Sequence, residues 1–273
     1  MGVKHLGLVA LAWACGSKEP ARPAPQTIRC AVIGGMTETG LWPALVERYT
    51  LVSGNKVEVE STGPKPVIVD AFKKGGIDLI TVHASDAMVN LVADGLAVDP
   101  QPWLKNDLVI VGPADDPAHI RGDKDAIDAF GKIIAAHAPL LVHASLGADG
   151  VLHDVFEAGH LKLGPETVFF TDENQHAVLE KAAEVHAYTL IGRIPFISGK
   201  LQKAGMELMV RGDPRLRRPY LVATAVGPAT DPRLAAARDF AAFLRSPATQ
   251  AWVATFGVGK YDDQPLFYPV TVR

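Results

Sequence analysis

The segment NDLVIVGP, residues 106–113, is the part of the chain that decides the fold. Its apolar centre, residues 108–111, predicts a short buried strand, and the Gly112-Pro113 pair predicts where that strand ends. Further apolar runs of similar length lie on both sides, and segments with helical spacing separate them. This repeated order of strand and then helix predicts an α/β fold in which mostly parallel sheets are flanked by helices.

The predicted elements follow one another along nearly the whole chain after residue 27, and they are bounded by glycine, proline and polar turn residues. Predicted strands cover residues 28–33, 57–60, 79–83, 108–111, 140–143, 187–191 and 219–226. Predicted helices cover residues 41–49, 66–74, 86–94, 125–136, 149–158, 173–184, 232–244 and 248–256.

The first 26 residues predict an export signal followed by a tether. A short basic region precedes an apolar stretch, residues 6–14, that is too short to span a bilayer. Small residues surround Cys15, as in a bacterial lipoprotein signal, so we expect the Cys15 thiol to carry a membrane-anchoring lipid. An ordinary secretory signal and an uncleaved membrane-held helix are the alternatives. Residues 16–26, rich in proline, alanine and charge, predict a flexible tether.

Composition excludes several classes of protein. About 250 residues remain after such a signal, which is long for a single core and favours two lobes. The net charge of −3 argues against a nucleic-acid binder, which would carry a basic patch. No later stretch reaches the roughly 18 apolar residues of a membrane-spanning helix. With Cys15 lipidated, only Cys30 remains, so an internal disulfide is excluded, and its apolar neighbours predict a buried strand position.

Four segments together resemble one known family. They are NDLVIVGP with its continuation to residue 120, YTLIGR at 188–193, the pair of motifs GDP and PY between residues 212 and 220, and the segment 256–267. In order and spacing these are similar to bacterial tungstate-binding proteins, the receptors of an ABC importer. The likeness extends over residues 28–269.

The resemblance implies a two-lobed type II periplasmic-binding-protein fold, in which each lobe is a mixed, mostly parallel sheet flanked by helices. Two crossover strands join the lobes, and the ligand lies in the cleft between them. Residues 27–111 with 217–273 would form lobe one, and residues 112–216 would form lobe two. The resemblance further implies a monomer that works outside the cytoplasm with an ABC permease subunit.

Turns after the strands are the expected ligand donors, because hydroxyl groups and backbone N–H groups at helix N-termini bind a dehydrated oxyanion. The alternatives are purely structural: a threonine that caps the next helix, a serine-threonine pair that only forms a turn, and a histidine that braces the hinge. The first three turns supply Thr37, Thr39, Ser61, Thr62 and His83.

The fourth turn, HASLGADG at 143–150, departs from the family pattern. The family carries Ser-Arg-Gly-Asp and then Ser-Gly-Thr here, whereas this chain offers His143, Ser145 and Asp149 and has no arginine between residues 134 and 192. The charge-assisted contact between the family arginine and an oxyanion is worth about 1.5–3 kcal/mol of binding free energy, so its loss lowers the affinity roughly ten- to a hundredfold. Asp149 would further disfavour a dianion unless it only caps the helix.

Tyr188 and Arg193 complete the set of candidate ligand residues, since both lie in the matching YTLIGR segment. For Arg193 an equally strong alternative is that it locks the hinge through a carboxylate. The cleft turns also carry acidic and imidazole groups, including His176 and Glu173, that suit a cation or a neutral polar solute.

The sequence therefore predicts an extracytoplasmic solute-binding lipoprotein for an oxyanion, tungstate-like or molybdate-like, or for a small organic acid. The alternatives are a metal receptor that uses cleft histidines, a receptor for a neutral solute, and a scaffold or sensor with a degenerate site. No enzyme is expected, because the glycines of residues 34–40 lack the G-x-G-x-x-G spacing and Ser145 lies outside a G-x-S-x-G elbow. Neither catalytic residues, a cofactor nor a resident metal is expected.

Overall fold

The computed structural model describes residues 24–172 and 174–271. The predicted export signal up to residue 23, including Cys15, lies outside this range, as do Glu173, Val272 and Arg273. Among the residues described, no helix has the length and apolar character needed to cross a membrane.

Ten strands and ten α-helices make up the described chain. The strands are β1 Thr27–Ile33, β2 Lys56–Gly63, β3 Leu79–His83, β4 Ala97–Pro113, β5 Leu140–His143, β6 Thr167–Phe170, β7 Tyr188–Gly192, β8 Met206–Val210, β9 Arg217–Ala225 and β10 Tyr268–Pro269. The helices are α1 Gly34–Glu38, α2 Leu41–Ser53, α3 Lys65–Lys73, α4 Asp86–Ala93, α5 Ala126–Ala135, α6 Ala148–Ala158, α7 Gln175–Glu184, α8 Arg193–Ile197, α9 Pro232–Arg245 and α10 Pro247–Val253.

The strands form the order β2-β1-β3-β9-β4-β7-β5-β6, with β8 and β10 also paired to β4. The β1–β2, β1–β3, β5–β6 and β5–β7 pairs are parallel, and the pairs that involve β4 or β9 are antiparallel. The mixed α/β fold expected from the sequence is therefore confirmed.

Strand β4 belongs to both halves of this arrangement. Its residues from Ala97 to Asp107 pair with β9, whereas Leu108 to Val111 pair with β7. The predicted strand at 108–111 thus lies in the second half of a 17-residue strand. Pro100 and Pro102 interrupt the first half, where the register with β9 shifts, so no regular strand pattern is readable there.

The buried apolar side chains divide at the same point. One cluster contains the core residues up to Leu104 and from Tyr220 onward, and two further clusters contain core residues between Leu108 and Leu216. Cys30 is fully buried in β1, as expected. We accordingly propose the change from lobe one to lobe two between Asp107 and Leu108, because residues 108–111 pair and pack with the second set of strands.

Short elements with mixed polarity were not predicted. β6 is only partly buried along its length, and its Phe169 is exposed, so it lacks the apolar signal of the other strands. β8 has two exposed or half-buried positions among five residues. The first predicted donor turn, residues 34–40, contains the one-turn helix α1.

Candidate functional site

The ends of β3 and β7 converge where β4 passes from one set of strands to the other. His83 at the end of β3 lies opposite Tyr220, and Ala84 donates its N–H to the carbonyl of Pro219 at 2.9 Å. Gly192 at the end of β7 lies opposite Leu108. The turns that follow these strands therefore lie near the hinge, where the family resemblance implies a ligand cleft.

Helix α1, which follows β1, and the end of β2 touch through hydroxyl groups. Thr37 donates to the carbonyl of Gly34 at 2.8 Å, and the Oγ1 atoms of Thr37 and Thr62 lie 3.0 Å apart. The buried Thr39 instead donates to the carbonyl of Gly35 at 2.7 Å within α1. Ser61 is half-buried on β2. Of these four hydroxyls, Thr37 and Thr62 are the pair that the fold brings together at an accessible position.

A salt bridge spans the two halves of the molecule beside this turn. Lys200 Nζ lies 2.6 Å from Glu38 Oε2, and both side chains are more than half exposed. The other carboxylate oxygen of Glu38 lies close to Gly34. Lys200 therefore offsets the negative charge that Glu38 would present to an anion in the first donor turn.

His83 stacks on Tyr220, with ring centroids 4.0 Å apart and planes inclined by 29°. Burial, together with the charge of Arg218, lowers its pKa well below the usual value, so the ring is neutral at neutral pH. Within the described residues its Nε2 atom is buried without a hydrogen-bond partner. The imidazole thus has a packing role and one nitrogen that remains available for another group.

Arg218 is a cationic residue of this region that the sequence analysis missed. It lies on β9 opposite Asn106 of β4, only 7% of it is exposed, and its Nη2 is 3.2 Å from Asn106 Oδ1. Burial lowers the pKa of its guanidinium, and its positive charge contributes to the lowered pKa of His83. The sequence does contain a signal for this residue, because the pair Arg217-Arg218 directly precedes a predicted strand. Successive side chains of a strand point to opposite faces, so one of the two arginines must point inward.

The last residue of β5 is a second histidine of this region. The His143 ring is 4% exposed, and its Nε2 lies 2.7 Å from the carbonyl oxygen of Leu190. Ser145 is buried in the one-turn 3-10 helix that follows. Asp149 is exposed in the first turn of α6. The residue that caps this helix is Gly147 and no side-chain cap bond is made, so Asp149 does not cap it.

Tyr188 and Arg193 are held inside the protein. The Tyr188 hydroxyl donates to Asp116 at 2.7 Å and accepts from the N–H of Ala118 at 3.0 Å. The Arg193 side chain, fully buried, pairs with Asp107 at 2.8 Å and with Asp262 at 3.0 Å. Because these contacts occupy the Tyr188 hydroxyl and the Arg193 guanidinium, we exclude both residues from the proposed ligand set, and we propose that Arg193 locks the hinge.

A metal receptor finds no support in the arrangement of these side chains. Across residues 24–172 and 174–271, no group of three or more histidine, cysteine, aspartate or glutamate side chains is placed to hold an ion. His83 and His143 each leave one ring nitrogen unpartnered, but a zinc site needs three or four protein ligands.

Comparison with known proteins shows the family to which this chain is similar. Residues 30–258 match the family model described as bacterial extracellular solute-binding protein. A Haloferax volcanii protein that is assigned as an ABC transporter anion-binding protein is 29% identical over 267 residues, covering 93% of this chain and 75% of that protein.

Two tungstate-binding proteins named TupA are also similar. That of Peptoclostridium acidaminophilum is 27% identical over 254 residues, covering 90% of this chain and 86% of its own length. The solved structure from Desulfovibrio alaskensis G20 superposes with a TM-score of 0.70 at 25% identity, covering 91% of this chain and all of that one. Since the family model covers most of the sequence, the chain belongs to the bacterial extracellular solute-binding protein family.

Proposed function

We propose that this protein captures a small oxyanion in the cleft beside the hinge and delivers it to an ABC permease. The observation that carries the proposal is the buried guanidinium of Arg218, which lies near His83 and opposite Asn106, just before β4 passes to the second set of strands. We assign its charge as the cationic partner that the fourth turn lacks, and the exposed Thr62, beside Thr37, supplies a hydroxyl group. The relatives named for anion and tungstate binding support the same class of ligand.

Delivery requires a change of shape that a permease can recognise. A ligand that contacts both lobes stabilises the closed form by its differential affinity for that form. Strand β4 is continuous through Asp107 and Leu108, so it provides a connection about which the lobes can rotate. We propose that the protein acts as a monomeric receptor and not as an enzyme.

Replacing Arg218 by methionine is expected to lower oxyanion affinity roughly 10- to 100-fold, because a charge-assisted contact is lost. Isothermal titration with tungstate, molybdate, sulfate, phosphate and small carboxylates would measure this. Arg218→Lys, which keeps the charge, should retain part of the affinity, and Arg121→Met on an exposed loop is the control. An undiminished affinity in a folded Arg218→Met protein would contradict the assignment. No binding to any anion by the unsubstituted protein would favour the scaffold alternative.

We also propose that the chain is anchored outside the cytoplasm through a lipid on Cys15. The apolar segment before Cys15 and the tether after it support this placement. The unsubstituted chain is expected in the detergent phase after phase separation of whole cells, and a Cys15→Ser variant in the aqueous phase or as an unprocessed precursor. Identical partitioning and identical mass of the two proteins would refute the anchor.

A further inference from the structure

The carboxylate of Glu38 lies beside the first donor turn. Glu38 is the last residue of α1 and directly follows Thr37, whose hydroxyl oxygen is 3.0 Å from that of Thr62. A Cβ atom added to Gly34 would lie 3.4 Å from Glu38 Oε1 and 3.4 Å from Gly63 Cα. The carboxylate therefore folds back to the place where the ends of β1 and β2 meet. Its negative charge lies near the Thr62 hydroxyl that we propose for the oxyanion.

The partner of this carboxylate comes from the other half of the molecule. Lys200 Nζ lies 2.6 Å from Glu38 Oε2, and the two side chains are 59% and 55% exposed. Met36, two residues before Glu38, is buried in the first core cluster. Leu201, next to Lys200, is buried in a cluster of the second half. The ion pair therefore crosses between the two proposed lobes.

Helix α8 connects Lys200 to the hinge. Its first residue, Arg193, is fixed there by the buried Asp107. Its last residue, Ile197, packs against buried clusters of both halves. Lys200 follows three residues later and is exposed, on the side of the helix that leads into lobe two. Its contact with the first donor turn therefore depends on how closely the two lobes approach each other.

We propose that Lys200 couples closure of the lobes to anion binding by neutralising Glu38. This inference rests on the proposed function, that the cleft binds an oxyanion. In the open form the unpaired Glu38 carboxylate repels an anion from the Thr62 hydroxyl. In the closed form Lys200 pairs with that carboxylate, so the turn accepts the negative charge of the ligand.

Lys200 is by this argument a positioning residue, because it contacts Glu38 and not the ligand. The affinity for an anion is higher in the closed form than in the open form, and this difference in affinity is what allows the ligand to drive closure. The ion pair thereby adds a regulatory step to the donor turn.

The variant Lys200→Met leaves the charge of Glu38 uncompensated. Its anion affinity should fall about 3- to 10-fold, because a like charge then faces the ligand at short range. Isothermal titration of the full chain with tungstate, molybdate, sulfate and phosphate at low ionic strength measures this. The loss should shrink in about 1 M sodium chloride, where charges are screened within about 3 Å. Both side chains of the pair are exposed, so the fold is expected to persist.

Lys203→Met is the matched control. It removes the same charge from an exposed position of the same loop, where Lys203 lies over the Phe196 ring. An equal loss of affinity in the two variants would show an effect of net charge and overturn the inference. If anions bind the unsubstituted protein and Lys200→Met binds them as tightly, the inference fails while the oxyanion receptor stands. If none of the four anions binds the unsubstituted protein, the proposed function fails and this inference fails with it.

A double variant separates neutralisation from a simple contact between the lobes. Adding Glu38→Gln to Lys200→Met removes the repelling charge, so the double variant should regain most of the lost affinity. An affinity as low as that of Lys200→Met alone would show that the ion pair only links the lobes. The neutralising role would then be wrong.

Rate measurements test the coupling to closure. Because the ion pair forms only when the lobes are close together, the loss in Lys200→Met should appear mainly as faster dissociation of the anion in stopped-flow experiments. A loss confined to the association rate would show that Lys200 only attracts the anion from a distance, and it would overturn the coupling.

Discussion

Replacing Arg193 by methionine should lower the free energy of unfolding by about 3–5 kcal/mol, the usual cost of removing one partner from a buried ion pair. Arg193 and Asp107 are both fully buried, and their side chains meet at 2.8 Å. Arg193 also pairs with Asp262 and donates to the carbonyl of Pro265. The substitution leaves the Asp107 carboxylate in the interior, where the Tyr268 hydroxyl still donates to it at 3.0 Å.

The variant should also acquire a characteristic pH dependence. Burial raises the pKa of Asp107, and the charge of Arg193 opposes that rise. Without Arg193 the pKa of Asp107 rises further, so the folded variant binds a proton that the unfolded chain releases. Its stability deficit relative to the unsubstituted protein should therefore grow as pH increases from about 4 through the folded-state pKa of Asp107.

Urea denaturation followed by circular dichroism at several pH values would measure both effects. Lys181→Met is the control, because Lys181 pairs with Glu184 at an exposed position where such pairs are worth about 0–1 kcal/mol. A loss as small as that of the control would show that the Arg193 pair contributes little to the folded state. The hinge-locking role would then be wrong.

Replacing Gly112 by alanine is expected to lower the free energy of unfolding by about 1–3 kcal/mol. We expect a value near the upper end of this range. A Cβ atom at this position would overlap Cδ1 and Cε1 of the Tyr188 ring and lie 3.3 Å from Met209 Cγ. The ring cannot turn aside easily, because its hydroxyl is bonded to Asp116 and to the N–H of Ala118. The new methyl group must therefore displace β4 or break those hydrogen bonds.

The matched control is Gly131→Ala in α5, where the added Cβ would lie 3.9 Å from Leu161 Cδ2, an ordinary contact. That change should stabilise the protein by about 0.5–1 kcal/mol, because alanine loses less backbone entropy in a helix than glycine. Circular dichroism is the suitable probe, since Trp42 and Trp103 belong to the first core cluster, Trp252 packs against it, and their fluorescence would report on lobe one. Equal stability of the two variants would refute the packing argument at Gly112.

Several parts of the site were predictable because they depend on local patterns. Alternating apolar runs and turn residues located the ends of β3 and β5, and so placed His83 and His143 at turns. The crossover segment 106–113 and the motifs around it indicated the family that the whole-chain comparison confirmed. The alternative roles of these side chains stayed open, because a strand pattern does not say which neighbour a side chain meets.

The remaining features depend on contacts between distant parts of the chain. Arg218 lies beside Asn106 because β9 and β4 pair in one register, 112 residues apart in sequence. Arg193 meets Asp107 across 86 residues, and Lys200 meets Glu38 across 162.

The sequence alone thus determined the α/β class, the order of most elements and the position of the donor turns, because short-range periodicity and turn chemistry decide these. Only the tertiary structure decided that Arg193 and Tyr188 are internal, that Arg218 is buried near His83, and that Nδ1 of His143 has no hydrogen-bond partner among the described residues. Strand register and burial decide these outcomes, and both are properties of the packed chain rather than of any single segment.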